Sequence, residues 1–347
     1  MTLLVTGGNG FVMSNLVEAW LARDAGAKVV VLDNAPADAP MQRILAGGGD
    51  RAVFLQADIT RPETWRDALD SQAITQVVHG ATMTLFARVP GDDAAEAERA
   101  MPARVLEVNI MGTVNLLDWA RTVRRADGRP LRFLNLSSGA VYGDDGPDTP
   151  GDPLPEDGWI DPPEFYGIGK LATEQIAARY GQLFPMETAS VRLSYVYGPM
   201  DRHTPSRVHD SAMQSACRLA LRGEVARIVS PDVIADWIYV RDVARGLMAL
   251  LDTASLEHKA YNCSYGAPTA LGTVLDLVGQ LRPGFRWEVV PLDQANAVMM
   301  GDPEMTAGRW GAYDNSRLRA AGWSPRPLRD GIADYLDWLA RETTPPR

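Results

Sequence analysis

Apolar residues in the first 195 positions follow two alternating patterns. Short apolar runs predict strands, and apolar residues that recur every three or four positions predict helices. The predicted strands are 3–6, 28–33, 52–57, 76–79, 131–137 and 187–193, and the predicted helices lie near 14–23, 62–70, 102–124 and 166–181. Strands that alternate with helices are typical of a parallel sheet with helices on both faces.

The pattern is less regular after Gly198, where Pro and Arg are frequent. We expect irregular segments there, then a helix at 240–251, a short strand at 261–263 and small helices at 271–281, 315–321 and 328–340. The fold class predicted from these patterns is α/β. It is a doubly wound, Rossmann-type parallel sheet with a smaller, mixed C-terminal cap that binds substrate.

Length and charge narrow the class of protein. With 347 residues the chain can hold one large or two modest domains, and its net charge of −10 argues against nucleic acid or an anionic membrane as partner. No apolar run approaches the roughly 20 residues that span a bilayer. We therefore expect a cytoplasmic protein. Its two cysteines, Cys217 and Cys263, show no metal-ligand spacing, so no metal is expected.

A glycine-rich turn, Thr6-Gly7-Gly8-Asn9-Gly10-Phe11-Val12-Met13, links the first strand to the first helix. This context predicts a dinucleotide site, in which Gly7, Gly10, Phe11 and Val12 approach a pyrophosphate at the helix N-terminus. The last small residue of the fingerprint is replaced by Met13, which should push the helix from the strand or press on the pyrophosphate. A thioether adapts to irregular gaps, so we expect NAD binding to survive, with its affinity an open question.

Further cofactor contacts are predicted at the ends of the next strands. Asp33 ends the second strand, where a carboxylate accepts hydrogen bonds from the adenosine ribose and repels a 2′-phosphate, which favours NAD. Asp58 and Ile59 follow the third strand and could meet adenine, and Gly80 and Ala81 follow the fourth. Taken alone, Asp33 could be a strand-end cap, and Asp58 could equally be a turn former.

Tyr166 and Lys170 are four residues apart and therefore share one helix face. A phenol with a pKa near 10 is a poor base, but an ammonium and a positive nicotinamide ring beside it would lower that pKa. Ser137 and Ser138 end a strand at the edge where parallel sheets place ligands. A hydroxyl there can bind the substrate oxygen.

Several motifs occur together and in order: Thr6-Gly7-Gly8-Asn9-Gly10-Phe11, Val108-Asn109-Ile110-Met111-Gly112-Thr113-Val114-Asn115-Leu116-Leu117, Leu136-Ser137-Ser138-Gly139-Ala140-Val141-Tyr142-Gly143, Tyr166 with Lys170, Tyr195-Val196-Tyr197-Gly198-Pro199, Asp236-Trp237-Ile238-Tyr239-Val240-Arg241-Asp242-Val243-Ala244, and Tyr313-Asp314-Asn315-Ser316 with Gly322-Trp323. In them the chain resembles the extended short-chain dehydrogenase/reductases, the NAD-dependent epimerase/dehydratase family, over nearly its whole length.

The resemblance implies roles for four residues. Ser138 would be the catalytic hydroxyl, Tyr166 the acid/base, Lys170 the ribose-binding partner and Asn109 the helix asparagine near the site. It also implies a homodimer formed through the helices that carry Asn109 and Tyr166. We assign 1–195 and 236–264 to an NAD-binding domain, and 196–235 and 265–347 to the substrate-binding cap.

The chain departs from the family at positions that bear on the substrate. Gly139 and Ala140 stand where family dehydratases carry an Asp-Glu pair, so dehydration is not expected. Ala235 replaces the arginine that grips the diphosphate of nucleotide-linked sugars. The segment 299–304 also lacks a second clamp, although Arg309 could supply one. We therefore expect a smaller substrate, with these candidate contacts: Thr82, Ser138, Gly139, Ser194, Arg202, Arg207 and Arg309.

Three functions are compatible with these residues. The leading hypothesis is NAD-dependent oxidation of a secondary alcohol in a sugar, sugar acid or related small polyhydroxy compound. The alternative is an NAD-dependent sugar or nucleotide-sugar epimerase that retains NADH between its two half-reactions. A non-catalytic, NAD-binding regulatory protein is a minor alternative.

Overall fold

The computed structural model describes residues 1–84, 101–143, 153–202, 210–297 and 312–343. Twelve strands lie in these ranges: β1 Thr2–Thr6, β2 Lys28–Asp33, β3 Ala52–Gln56, β4 Gln76–His79, β5 Leu131–Ser138, β6 Met186–Leu193, β7 Tyr195–Tyr197, β8 Ala226–Ile228, β9 Ile234–Tyr239, β10 Ala260–Cys263, β11 Pro268–Ala270 and β12 Trp287–Val289. Seven of them form the main sheet in the order β10-β6-β5-β4-β1-β2-β3, and every pair is parallel.

The helices of the described residues are α1 Phe11–Arg23, α2 Ala39–Gly48, α3 Arg66–Asp70, α4 Pro102–Leu106, α5 Gly112–Ala120, α6 Phe165–Leu183, α7 Ala212–Arg222, α8 Val240–Asp252, α9 Leu271–Leu281, α10 Ser316–Ala320 and α11 Leu328–Thr343. A π-helical segment, Glu107–Met111, joins α4 to α5. Within the described ranges, no helix is both long and apolar enough to cross a membrane.

Alternation along the strands divides the core between two faces of the main sheet. Leu3 and Val5 of β1 pack with α1 and α8 on one face. Leu4, between them, packs with α3, α5 and α6 on the other. Both faces are apolar because both are covered by helices. The predicted doubly wound fold is therefore confirmed.

A smaller mixed region follows the sheet. In a three-stranded sheet of order β11-β9-β7, β7 pairs parallel and β11 antiparallel with β9, and β12 pairs with β8 in a separate ribbon. The boundaries we predicted at 195 and 236 fall inside β7 and β9, which both belong to the smaller sheet. Helix α8 and strand β10 do return to the main sheet.

The expectation of irregular structure after Gly198 is wrong for α7. The Ser211 hydroxyl caps this helix by accepting a hydrogen bond from the Gln214 N–H at 3.2 Å. Its buried residues recur at helical spacing, so the pattern was present in the sequence among the frequent Pro and Arg residues of this region: Ala212, Met213, Gln214, Ala216, Cys217, Leu219 and Ala220. The sequence pattern also missed α2, which is capped by the Asp38 carboxylate.

Met13 is accommodated because residue 80 is a glycine. The Met13 side chain is 2% exposed and lies in the core between α1 and the sheet. A Cβ placed on Gly80 would lie 2.6 Å from both the Cγ and the Sδ of Met13. The thioether therefore occupies the volume that a side chain at residue 80 would need. Its bulk is directed into the core, not toward the pyrophosphate as we had considered.

We predict that Gly80→Ala lowers the free energy of unfolding by about 1–3 kcal/mol, because the new methyl group overpacks the core against Met13. The same change in a Met13→Ala background should cost little, since the methyl group then enters the space that Met13 leaves. Urea unfolding of wild type, the two single variants and the double variant measures this coupling. Gly47→Ala is the control, because a Cβ there meets nothing within 4 Å. Additive effects of the two substitutions would contradict the prediction.

Candidate functional site

The glycine turn brings bare backbone to the carboxyl edge of the main sheet. Gly7 has φ +71°, a conformation that glycine adopts without strain, and its N–H donates to the Leu32 carbonyl at 2.8 Å. A Cβ on Gly7 would lie 2.8 Å from the Cα of Ala81, so the turn packs directly on the backbone that follows β4. The Gly10 N–H closes the turn by donating to the Gly7 carbonyl at 2.9 Å.

The N-terminus of α1 carries no side-chain cap and no acidic residue in its first turn. Gly10 is the N-cap residue, and Phe11 and Val12 begin the helix. A helix N-terminus carries partial positive charge and favours an anion. The turn and this helix end therefore fit a pyrophosphate.

Asp33 lies beside the same turn at the end of β2. Its Oδ2 accepts from the Asn9 N–H at 2.9 Å, and its Oδ1 accepts from the Ala35 N–H at 3.0 Å. Burial raises the pKa of the Asp33 carboxyl, and these two backbone donors oppose that effect. Each carboxylate oxygen has a second lone pair, so Asp33 can also accept from the hydroxyls of a ribose.

Arg202 lies on the cofactor side instead of the substrate side that we expected. Its Nη2 donates to the Asn9 carbonyl at 2.6 Å, and its Nε donates to the Asp38 carboxylate at 2.6 Å. The guanidinium thereby joins the glycine turn to the start of α2. The other two candidate arginines, Arg207 and Arg309, lie outside the described residues.

Asp58 and Ile59 occupy different environments after β3. The Asp58 carboxylate accepts from Arg104 at 2.8 Å and from the Thr60 hydroxyl at 2.7 Å. Burial raises the pKa of Asp58, but these donors outweigh it and the net pKa is lowered. Ile59 is 4% exposed and belongs to the core beneath the sheet. Asp58 is thus the polar group of this pair.

His79 is a neutral linker between β1 and α5. Burial and the charge of Lys170 lower the pKa of His79 to about 3. The Thr113 hydroxyl donates to the Asn109 carbonyl at 2.7 Å, so it accepts from His79 Nε2 at 2.9 Å, which assigns the proton to Nε2. His79 Nδ1 then accepts from the Thr6 hydroxyl at 2.7 Å. We expected a packed strand-end histidine here rather than a catalyst.

Asn109 holds the chain that follows β4. It lies in the π-helical segment and is 3% exposed. Its Oδ1 accepts from the Met83 N–H at 2.7 Å and from the Thr82 hydroxyl at 3.0 Å, and its Nδ2 donates to the Met83 carbonyl at 3.0 Å. The structure therefore brings Asn109 and Thr82 together, and Asn109 fixes the backbone at Met83.

Ser138 and Tyr166 form a hydrogen-bonded pair at the end of β5. The Ser138 hydroxyl caps the short helical turn that follows by accepting from the Ala140 N–H at 3.1 Å. Tyr166, in the first turn of α6, is 7% exposed and hydrogen-bonds the Ser138 side chain. Burial raises the pKa of Tyr166 to about 12, although the bond to Ser138 partly offsets this.

Lys170 completes the predicted set one helical turn later. Its Nζ donates to the Leu136 carbonyl at 2.7 Å and lies 5.6 Å from the centre of the Tyr166 ring. Burial lowers the pKa of Lys170 to about 8, and the nearby Glu174 carboxylate acts in the opposite direction. We expected this ammonium to lower the pKa of Tyr166. Without a bound cofactor, the pKa of Tyr166 is instead raised, because the effect of burial is larger.

A buried ion pair behind Lys170 was not predicted from the sequence. The Glu174 carboxylate accepts from Arg192 Nη2 at 2.7 Å, from Arg192 Nε at 2.9 Å and from the Ser137 hydroxyl at 2.5 Å. Arg192 also donates to the Tyr142 hydroxyl at 3.1 Å. The available signal was Glu174, which is four residues beyond Lys170 and lies on the same helix face.

The substrate side is described in part. Ser194 lies between β6 and β7, and its N–H donates to the Cys263 carbonyl at 3.4 Å. Ala235, which stands in place of an arginine, is 7% exposed and belongs to the core of the cap. The segment 299–304, where a second clamp would be expected, lies outside the described residues. Gly139 directly follows Ser138, and the Tyr313 phenol fills the space beside it.

Comparison with known proteins agrees with this geometry. The model of the NAD dependent epimerase/dehydratase family matches residues 3–264. A UDP-glucose 4-epimerase from Erwinia amylovora is 29% identical over 77% of this chain and 78% of its own length.

Two crystal structures of UDP-glucose 4-epimerases share the fold. The enzyme from Thermotoga maritima, with UDP-glucose, is 21% identical with a TM-score of 0.76 over 99% of this chain and 100% of its own. The Thermus thermophilus enzyme, a complex with NAD, is 25% identical with a TM-score of 0.72 over the same shares of the two chains. The chain is thus an enzyme with NAD as its cofactor, and it belongs to the NAD-dependent epimerase/dehydratase family.

Proposed function

We propose that this enzyme epimerises a secondary alcohol of a nucleotide-linked sugar, using NAD that it retains through the reaction. The observation that carries the proposal is the buried Ser138–Tyr166 pair with Lys170 beside it, followed by two residues that cannot transfer protons, Gly139 and Ala140. UDP-glucose 4-epimerases are among the relatives that align over most of the chain, which favours epimerisation over our leading hypothesis of net oxidation.

The residues present fit NAD. The backbone of Gly7, Gly10, Phe11 and Val12 would hold the pyrophosphate, and Asp33 would hold the adenosine ribose. Lys170 would bind the second ribose near Tyr166. Bound NAD supplies the hydride acceptor and, after reduction, the hydride donor.

Tyr166 and Ser138 carry the proton chemistry. Tyr166 removes the hydroxyl proton as the alcohol becomes a ketone and returns a proton when the ketone is reduced. Ser138 donates a hydrogen bond to the oxygen as charge develops on it. In an epimerase the ketone turns its other face before reduction, so both half-reactions use the same two side chains. Dehydration would need a further acid and base after Ser138, which Gly139 and Ala140 do not provide.

Oxidation of a smaller sugar or sugar acid is the second candidate function. The observation in its favour is Ala235, which is buried in the cap core and offers no charge to a diphosphate. A bidentate arginine–phosphate contact is among the stronger polar interactions, so its loss would weaken retention of a nucleotide-linked sugar.

We predict that the enzyme interconverts UDP-glucose and UDP-galactose without net formation of NADH. Tyr166→Phe should lower kcat by about 10²–10⁴-fold, because the proton acceptor is lost. Tyr180→Phe, on the same helix, should keep full activity. Product isomers are measured by chromatography and NADH by its absorbance. Stoichiometric NADH from a free sugar or sugar acid, without product isomers, would instead establish the dehydrogenase.

We predict that NAD⁺ lowers the pKa of Tyr166. At about pH 9.5 the phenol should stay protonated in the cofactor-free enzyme, because burial raises its pKa to about 12. The positive nicotinamide ring favours the phenolate, so NAD⁺ should produce tyrosinate absorbance in the difference between wild type and Tyr166→Phe. NADH, whose ring is uncharged, is the matched control. Equal spectra with NAD⁺ and NADH would refute this effect of the ring charge.

We also propose that the protein forms a homodimer. Met111 is 49% exposed and Ile168 is 41% exposed, and the π-helical segment and α6 that carry them pack side by side. These apolar side chains lie on the two helices through which the family resemblance implies dimerisation.

We predict that wild type is a dimer and that Ile168→Glu is a monomer, because a carboxylate would be buried without a partner at the interface. Leu183→Glu, at the far end of α6 and 56% exposed in wild type, is the control and should remain a dimer. Light scattering after size-exclusion chromatography measures both masses. A monomeric wild type, or a dimeric Ile168→Glu, would argue against this interface.

A further inference from the structure

Tyr313 occupies the side-chain space of Gly139, the residue after the catalytic hydroxyl. A Cβ at residue 139 would lie 2.5 Å from the Cζ of Tyr313, 2.6 Å from its Cε2 and closer still to its hydroxyl. No side chain could be added to Gly139 without displacing this ring. The phenol of Tyr313, from the C-terminal part of the chain, thus occupies the space that a side chain at residue 139 would need.

The backbone of Tyr313 is fixed from three sides. Its N–H donates to the Asp236 carboxylate at 3.2 Å, and its carbonyl accepts from the Ser264 hydroxyl at 3.0 Å. Leu154 pairs with it in a short bridge, donating to the Ala312 carbonyl at 2.7 Å and accepting from the Asp314 N–H at 3.0 Å. These bonds leave the chain little freedom at this point.

The ring of Tyr313 is fixed as well. It packs in a tilted arrangement against the ring of Tyr142, with centres 5.2 Å apart and an angle of 32° between the planes. The Tyr142 hydroxyl in turn donates to Asn262 Oδ1 at 2.8 Å and accepts from Arg192 at 3.1 Å. Tyr313 is 5% exposed. Its phenol is therefore held in place before any ligand binds, which reduces the entropy lost on binding.

A phenol at this position differs chemically from a carboxylic acid. A phenol hydroxyl both donates and accepts hydrogen bonds, but it is a much weaker acid than a carboxyl group. It can bind a sugar hydroxyl without protonating it into a leaving group. That property suits a reaction that keeps every hydroxyl of the substrate, as epimerisation does.

We propose that Tyr313 is a specificity-determining residue of the site. Its phenol hydroxyl binds a hydroxyl-bearing substituent on a carbon that flanks the reacting alcohol. Ser138 holds the reacting oxygen, and Tyr313 recognises the neighbouring one from the position beside Gly139. The inference rests on the proposed function for the substrate class, a nucleotide-linked hexose with both flanking hydroxyls intact.

The test compares binding of UDP-glucose with that of its 3-deoxy and 6-deoxy analogues to the NADH-loaded enzyme, by calorimetric titration. Wild type should bind one analogue about tenfold more weakly than UDP-glucose, as expected for one lost hydrogen bond. In Tyr313→Phe this ratio should fall to near one, because the phenol hydroxyl is gone. Tyr335→Phe, which removes another buried phenol hydroxyl, should keep the wild-type ratio.

The variant Tyr313→Phe keeps the ring and its backbone bonds, so a folded protein is expected. A ratio that is unchanged in Tyr313→Phe for both analogues would overturn the assignment, as would a wild type that binds no UDP-sugar. Epimer formation by wild type is measured in parallel. If epimers form while the ratio is unchanged, the inference fails and the proposed function stands. If the ratio collapses without epimers, the proposed function fails and the role of Tyr313 in recognition stands.

Discussion

Close packing of side chains against bare backbone at the carboxyl edge of the main sheet is the constraint on which this structure depends. Gly80 leaves the volume that Met13 occupies, and Gly139 leaves the volume that Tyr313 occupies. In both cases a large side chain from elsewhere in the chain fills the space of a missing Cβ. Because interiors are packed to the density of crystals, neither exchange tolerates an added methyl group without movement. The region of the glycine turn and the region beside Ser138 thus share one kind of packing contact.

The electrostatics of the site follow from burial. Lys170 lies out of water, and burial lowers its pKa to about 8, while Glu174 behind it favours the charged form. Glu174 is itself paired with the guanidinium of Arg192, so no carboxylate in this group is buried without a partner. His79, between two threonine hydroxyls, is neutral and adds no further charge. Tyr166 lies beside the ammonium of Lys170.

Arg192 links this network to the cap. Through Tyr142 it reaches Asn262 and the ring of Tyr313, so the residues behind Lys170 and those beside Ser138 belong to one connected set. Sequence patterns did not reveal the connection, because the partners of Arg192 are not its neighbours along the chain. Its partners are between 18 and 50 residues away along the chain. The same reason explains Arg202, whose contacts at Asn9 and Asp38 are more than 160 residues distant.

The sequence alone predicted the main sheet, most of its helices, the glycine turn and the Ser138, Tyr166 and Lys170 set, because each rests on local period or short spacing. Helix α7 was missed although its buried residues recur at helical spacing, because the frequent Pro and Arg residues of the surrounding sequence indicated irregular structure. Only the tertiary structure decided what Met13 does, where Arg202 lies and that Tyr313 stands beside Gly139. Those outcomes depend on which distant residue fills a given volume, and the order of residues along the chain does not contain that information in any local pattern.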